Sequence, residues 1–290
     1  MKVLACEFDA KGDLLAAFAG AGANAGRQDR PLTFAPRELE RHLFAMAMDP
    51  EESLKEYLRI NLRIPLVTKI SALSSAFDFL ANAAPGVREI VTIGKVAFEV
   101  RERHYDLVVV DATATGHIIG QLRAPQAINE LVGAGLIRSQ TAWILDILGD
   151  PERTGVVVVT TPEAMPVNES IDLLEKLRTQ TNVDVAAVVA NRVLPEPSTR
   201  KGAFEKVIAG PATFARRLSD PSIADVLLEG ARLASDLRRA ADEHLSELFD
   251  DVGTNHPSAQ TALVPLLFDA EPGMETTRMV AEYLQSELDL

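Results

Sequence analysis

The sequence predicts an α/β chain with a mostly parallel sheet between helical layers. Three features carry this expectation. Short β-type runs recur along the 290 residues. The central ones, such as Val108-Val109-Val110 and Val156-Val157-Val158-Val159, are continuous β-branched stretches rather than alternating ones. Strands covered on both faces read this way, and helical segments separate the runs as β–α alternation requires.

The expected strands are Lys2–Phe8, Asp106–Val110, Gly155–Thr160, Asp184–Ala190 and Thr261–Leu267. Asp49-Pro50-Glu51-Glu52 opens a helix with a capping carboxylate, a proline at the first helical position and two acids in the first turn. Pro166 opens another, with Val167, Ile171, Leu174 and Leu177 on one stripe. Ile223 to Phe249 is a long amphipathic stretch, and Thr276–Leu288 reads as a terminal helix. Residues 30–103 show helices and little strand signal, so they are expected to form a helical insertion, with a second helical segment over 196–249. The whole chain, 1–290, is expected to be one domain with these insertions.

Composition narrows the function. Lys and Arg total 29 against 42 Asp and Glu, a net charge of −13. A polyanion or an anionic lipid surface is repelled by such a chain unless a basic patch dominates, and the densest cluster is only Arg238-Arg239. Aromatics make up 5%, too few for a base-stacking platform. Cys6 is the single cysteine, which excludes an internal disulfide and points to a reducing compartment. Acidic residues follow Met1 too closely for a secretory signal, and no apolar run reaches membrane-spanning length. A cytoplasmic protein is expected.

The candidate chemistry lies at strand ends. Val108-Val109-Val110-Asp111 ends in an acid and runs into Ala112-Thr113-Ala114-Thr115-Gly116-His117. In an open parallel sheet, ligands bind at the carboxyl ends of strands, and an Asp there can hold Mg²⁺ or its waters. A helix-cap Asp would look the same. Glu7-Phe8-Asp9-Ala10-Lys11-Gly12 has the same form, and one acid could orient a water while the other attends the metal. An Asp- and Gly-rich turn is the plainer reading of that segment. Asn191, after Val188-Val189-Ala190, offers a donor and an acceptor for a purine edge, although a turn Asn is commoner. Gly20, Gly22 and Gly26 suggest a dinucleotide loop, but Arg27-Gln28-Asp29-Arg30-Pro31 is a poor helix start. The five histidines have no metal-type spacing.

Taken in order, these segments resemble the arsenite-pump and tail-anchored-protein-targeting ATPases, the anion-transporting family of the deviant-Walker P-loop group. Asp111 to His117 is similar to that family's D-T-A-P-T-G-H, and Asp9 to Phe18 to its first switch, D-P-A-H-x-L-x-x-x-F. Ala84-Pro85-Gly86-Val87-Arg88-Glu89 resembles A-P-G-x-x-E, and Thr161 to Glu169 resembles P-E-x-M-P-x-x-E. Asn191-Arg192-Val193-Leu194-Pro195 is similar to N-R-x-x-P, and Val264-Pro265-Leu266 to the loop that closes on the base. The resemblance covers essentially the whole chain. It implies a P-loop NTPase-type fold, ATP and Mg²⁺ as ligands, and hydrolysis that drives motion in a dimer. It assigns Asp9 to the hydrolytic water and Asp111 to the metal shell. Thr115, Gly116 and His117 would form the second switch, and Asn191, Pro265 and Leu266 would contact adenine.

The departures are as informative. Ala112, Thr113 and Ala114 replace T-A-P, and Ala10-Lys11-Gly12 replaces P-A-H. No stretch reads G-x-x-x-x-G-K-[ST]. In the family that loop precedes the strand ended by Asp9 by roughly 30 residues, about one strand–loop–helix unit. The sequence is therefore expected to begin inside the family's domain and to be inactive alone. The alternative is a non-catalytic subunit that regulates an intact paralogous ATPase. A nicotinamide-dependent enzyme would rest on Gly20, Gly22 and Gly26 only. One cysteine cannot serve a soft-metalloid thiol site, and there is no Cys-x-x-Cys pair for a zinc clasp. A homodimer or a heterodimer with a paralogue is expected. Ala134–Leu148 could line a groove for a protein client, and Phe44-Ala45-Met46-Ala47-Met48 could be an adaptable surface, though both also suit ordinary core.

Overall fold

The computed structural model describes residues 1–9, 12–19, 30–62, 86–113, 115–131, 136–195, 203–268 and 271–288. In chain order the elements begin with β1 (Val3–Glu7), α1 (Asp13–Ala17), β2 (Arg37–Glu40), β3 (Leu43–Ala47), α2 (Pro50–Leu62) and α3 (Val87–Arg101). Next come β4 (Leu107–Asp111), α4 (Thr115–Leu131), α5 (Leu136–Leu148), β5 (Gly155–Thr160), α6 (Ala164–Gln180) and β6 (Asp184–Val193). The chain ends with α7 (Ala203–Ala209), α8 (Pro211–Ala215), α9 (Ala224–Asn255), β7 (Gln260–Pro265) and α10 (Met274–Glu287). Two compact units result: Met1–Val156 with Glu175–Asp184 and Glu271–Met279, and Val157–Leu174 with Val185–Ala270 and Val280–Leu290.

The first unit carries a four-stranded sheet in the order β2-β3-β1-β4. β1 runs parallel to both β3 and β4, with Val3 opposite Leu43 and Leu107, and Glu7 opposite Ala47 and Asp111. The two inner strands are apolar on both faces. Leu4, Cys6, Met46 and Met48 pack on one side with Phe8, Phe44, Val96 and Val108. Ala45 and Ala47 pack on the other with Leu32, Leu39, Leu14 and Phe18. At the β1 entrance the Lys2 ammonium lies 4.5 Å from the Tyr105 ring centre and 5.0 Å from that of Phe44. Asp49 caps α2, accepting hydrogen bonds from the Glu51 and Glu52 amides at 2.8 and 3.1 Å, as the sequence predicts.

The second unit carries β5-β6-β7, with β6 and β7 parallel. Val189, Ala262 and Val264 form its core with Val280, Leu284 and Leu288. The stripe expected on α6 is present: Val167, Leu174 and Leu177 are buried, and Leu173 joins them.

All five expected strands form, and two expectations need correction. Residues 30–103 are not strand-poor, because β2 and β3 lie there. β3 spells Leu-Phe-Ala-Met-Ala, a sequence of weak intrinsic strand preference, and it becomes a strand because β1 and β2 pair with it on either side. β4 and β5 are also not covered on both faces. Leu107, Val109, Val157 and Val159 are exposed, since each strand ends its sheet and only alternate side chains reach a core. Within the helical segment expected over 196–249, the described residues form α7, α8, a 3₁₀ turn at Pro221–Ile223 and most of α9. The Phe44–Met48 segment is core, with Met46 fully buried.

Two outcomes follow from this packing. Met46→Ala leaves a cavity at the centre of the sheet and should cost about 3 kcal/mol, whereas Val159→Thr on the open face should cost about 0.5 kcal/mol or less; urea unfolding measures both. Burial, together with the Glu99 carboxylate, pushes the Cys6 thiol from 9.0 up to about 12. A thiol harder to ionise folded than unfolded stabilises the fold fully below pH 9 and loses that contribution as pH rises toward 12. Unfolding free energy should therefore fall above pH 9, with a shallower slope in Cys6→Ala, and a thiol reagent should leave native Cys6 unmodified at pH 8.

Candidate functional site

The site begins with the pairing of β1 and β4. Because the strands are parallel and Glu7 is level with Asp111, both chains leave the sheet at the same rim. The Phe8 amide donates to the Asp111 carbonyl at 3.0 Å, extending the pairing past the end of β1 and up to Asp9. The Met48 amide donates to the Glu7 carbonyl at 2.8 Å, so β3 reaches the same edge.

The turn after β1 is fixed by Glu7. Its side chain is only 2% exposed, and one carboxylate oxygen accepts from the amides of Gly12 (2.8 Å) and Asp13 (3.0 Å). It thereby satisfies two free N–H groups at the start of α1. Gly12 has φ +83°, a conformation that a side chain would strain. Nothing in the sequence patterning singled out Glu7. The signal was an acid inside an otherwise apolar strand, where burial demands hydrogen-bond partners.

Asp9 lines a cavity of about 510 Å³ together with Met48, Arg88, Thr113, Gly116 and His117. Gly116 and His117 lie in the first turn of α4, whose 17 residues point their free N–H groups back toward the strand ends. A side chain at Gly116 would meet nothing within 4 Å, so the backbone there is open to a ligand. The Thr113 hydroxyl donates to Gln121 Oε1 at 3.4 Å. Asp111 is exposed at the end of β4. Thr115 begins α4, and its side chain lies outside the described residues, as do Ala10, Lys11, Ala114 and the Gly20–Gly26 loop.

Arg88 and Glu89 also line this cavity, from the first turn of α3. Among the described residues, no carboxylate pairs with the Arg88 guanidinium. The Pro-Gly-x-x-E resemblance covered this segment without marking Arg88, which the fold alone brings to the rim.

The remaining candidates meet in the second unit. β6 and β7 end side by side, with Val193 opposite Pro265, and the Leu266 amide donates to the Val193 carbonyl at 2.8 Å. Arg192 takes φ +62°, and its amide donates to Asn191 Oδ1 at 2.9 Å. Asn191, Pro265 and Leu266 thus share one strand-end edge of their sheet.

A second cavity of the first unit, about 290 Å³, lies among α2, α3, α4 and α5. Trp143 and Ile144 from the Ala134–Leu148 segment line it; Ala134 itself lies outside the described residues. Lys95 sits against it, 2.6 Å from both Glu56 and Glu99, while Glu99 also meets His104 Nδ1 at 2.7 Å. Burial alone would lower the Lys95 pKa, but the two carboxylates outweigh it and hold the ammonium above its ordinary range.

Among the described residues, no group of three His, Cys, Asp or Glu side chains could hold a metal unaided. Mg²⁺ asks for less, since it keeps several waters and binds through one or two carboxylates plus phosphate oxygens. Asp9 lines the cavity with the first turn of α4, and Asp111 ends the neighbouring strand at the same rim without lining that cavity, so the two supply the one or two carboxylates that Mg²⁺ needs.

The acid-terminated parallel strands of this α/β chain fit the P-loop NTPase type of fold. A family model described as anion-transporting ATPase matches residues 29–142 and 137–209, and the chain belongs to that family. It is 28% identical over 226 residues to ATPase BagA of Mycobacterium tuberculosis, covering 73% of this chain and 66% of that protein. It is 24% identical over 186 residues to ATPase GET3 of Mycosarcoma maydis, covering 53% and 54% of the two chains. An ATPase ASNA1 homolog of Trypanosoma cruzi is 22% identical over 203 residues, 56% of each chain. The chain thus spans about two thirds or less of the length of these relatives. No helix among the described residues is long and apolar enough to cross a membrane.

The Glu7 clamp is directly testable. Glu7→Ala should cost about 2 kcal/mol through two unpaired amides at a buried turn, and Glu7→Gln, which keeps an acceptor oxygen, should cost less. Urea unfolding separates the two.

Proposed function

We propose that this chain supplies the switch-bearing and base-contacting parts of a Mg²⁺-dependent ATP hydrolase whose turnover drives conformational change in a dimer in the cytoplasm. The observation that carries the reading is the shared rim of β1 and β4. It sets Asp9 and Asp111 at one end of the sheet, beside the first turn of α4.

The residue roles follow from chemistry at that rim. Asp9, a carboxylate at the mouth of the cavity, orients a water for attack on a terminal phosphate. Asp111 holds the waters of the metal shell, and Mg²⁺, when bound, neutralises phosphate charge. The α4 N-terminus, with Thr115, Gly116 and His117, faces the phosphate, and Arg88 adds the positive charge that two acids would otherwise oppose. In the second unit, Asn191 reads the adenine edge, and Pro265 and Leu266 pack on its face.

A second reading is favoured by one observation. None of the 290 residues forms a G-x-x-x-x-G-K-[ST] loop to cradle the β- and γ-phosphates. On that reading the chain is a non-catalytic subunit that docks on an intact paralogous ATPase and regulates it. The DNA upstream of codon 1 separates the two: an in-frame G-x-x-x-x-G-K-[ST] supports the hydrolase, and an in-frame stop supports the subunit.

The 290-residue chain itself should bind Mg²⁺–ATP weakly by calorimetry and release phosphate no faster than a blank. Asp111→Ala and Arg88→Ala should each weaken binding about ten-fold, the effect of losing roughly 1.4 kcal/mol. Binding unchanged in both variants overturns the site. Mg²⁺-dependent turnover that vanishes in Asp111→Ala overturns the expected inactivity and requires another phosphate-holding segment.

A further inference from the structure

The apolar cavity among α2, α3, α4 and α5 takes no part in the strand-end chemistry. Its volume is about 290 Å³. All four helices supply apolar side chains to its wall: Leu54 and Tyr57 from α2, Ile90 from α3, Ile128 from α4, and Trp143 and Ile144 from α5. Tyr57, Ile90, Ile128 and Trp143 are half-buried, so each still has apolar surface that an occupant would take out of water.

Among the described residues, the polar groups in this wall are engaged with the chain itself. The Ser53 hydroxyl donates to the Asp49 carbonyl at 2.8 Å, and Thr141 Oγ1 donates to the Arg138 carbonyl at 3.0 Å. Lys95 lies 2.6 Å from both Glu56 and Glu99. The Arg101 guanidinium lies 4.4 Å from the Trp143 ring centre, and its Nε donates to Glu102 at 3.0 Å. Lys95 and Arg101 balance the charges of Glu56 and Glu99. Burial raises the Tyr57 phenol above its ordinary 10.0, as apolar surroundings do. A water here finds few partners, and an ion finds no spare counter-charge to repay its desolvation. A neutral apolar molecule gives up little on entry and covers the wall.

We propose that this cavity is a binding site for a small uncharged molecule built of apolar rings. Size sets the class. An apolar cavity of about 150 Å³ takes one benzene ring, and this one offers nearly twice that room. A sphere of the same volume is about 8 Å across, narrower than the roughly 10 Å of an α-helix with its side chains. Trp143, Tyr57 and Phe98 present rings against which an occupant can stack or meet edge-on. The site draws nothing from the strand-end cavity of Asp9, Arg88 and His117, so its failure would leave the proposed hydrolase untouched.

Two dyes that share their rings test the class on the full chain. N-phenyl-1-naphthylamine is neutral, and its fluorescence rises when it leaves water. It should bind one per chain with a micromolar Kd. 8-Anilinonaphthalene-1-sulfonate carries the same rings and a negative charge, and it should bind at least ten-fold more weakly. Val91 lines the cavity from α3. Val91→Phe fills the space and should weaken the neutral dye about ten-fold, whereas Val91→Ala should keep its Kd within about three-fold. Trp143 is the one tryptophan of the chain and gives a readout that needs no variant. 1-Adamantanol, a neutral cage that absorbs no near-ultraviolet light, should displace the dye and shift Trp143 emission to shorter wavelength. Circular dichroism verifies the fold of Val91→Phe, and if that variant unfolds, the Trp143 shift decides. Absence of dye binding overturns the proposal, as does equal affinity for the sulfonate. Dye bound as tightly by folded Val91→Phe, or Trp143 emission unmoved by adamantanol, places the dye on another apolar surface and overturns it too.

Discussion

Parallel pairing of β1 with β4, in a register that levels Glu7 with Asp111, is the constraint on which the candidate site depends. In a parallel pair both strands deliver their C-terminal ends to one edge, and the turns that follow must share it. Asp9 and Asp111 are 102 positions apart in the chain and gain proximity from this pairing alone. A one-residue slip would turn each buried side chain of β1 to the other face and move Glu7 away from the amides it holds. The two-sided apolar packing of β1 against β3 and β4 fixes the register, so the hydrophobic core positions the acids.

Around that edge, charge is balanced locally. Glu7 is buried and tied to backbone N–H groups, whereas Asp9 and Asp111 are exposed. Arg88 and the first turn of α4 face the same cavity with positive character. The net charge of −13 says nothing of this arrangement, because a site's potential is set by the few groups that face it. A second buried cluster, Lys95 between Glu56 and Glu99, links α2 to α3 beneath the apolar cavity. Its hydrogen bonds offset the desolvation of three charges, and loss of any member would leave the others uncompensated.

The surfaces left open reflect the same economy of cover. β4 and β5 each end a sheet and show apolar side chains on one face, and α9 does so over its N-terminal half. In the N-terminal half of α9, Ala224 and Leu228 are buried while Val226, Leu227, Leu233 and Leu237 are exposed, so only one of its apolar faces is covered.

The sequence by itself determined the local elements. Short β-type runs, the central ones continuously β-branched, foretold the five strands, Asp49-Pro50 the start of α2, and the Val167–Leu177 stripe the buried face of α6. These rest on propensity, capping and periodicity, which act over a few residues. The strand-end motifs and the family resemblance named Asp9, Asp111, Gly116, His117 and Asn191 as candidates from contiguous residues, and the fold brings Asp9, Gly116 and His117 to one cavity. Only the tertiary structure decided that Leu43–Ala47 is a strand, since its alanines and methionines take that form when β1 and β2 bind its edges. It also decided that Glu7 is a clamp and that Arg88 reaches the cavity, since both depend on partners that the chain brings together only by folding. Pairing register, burial and cavity lining are relations between distant segments, and no window of sequence contains both sides of such a relation.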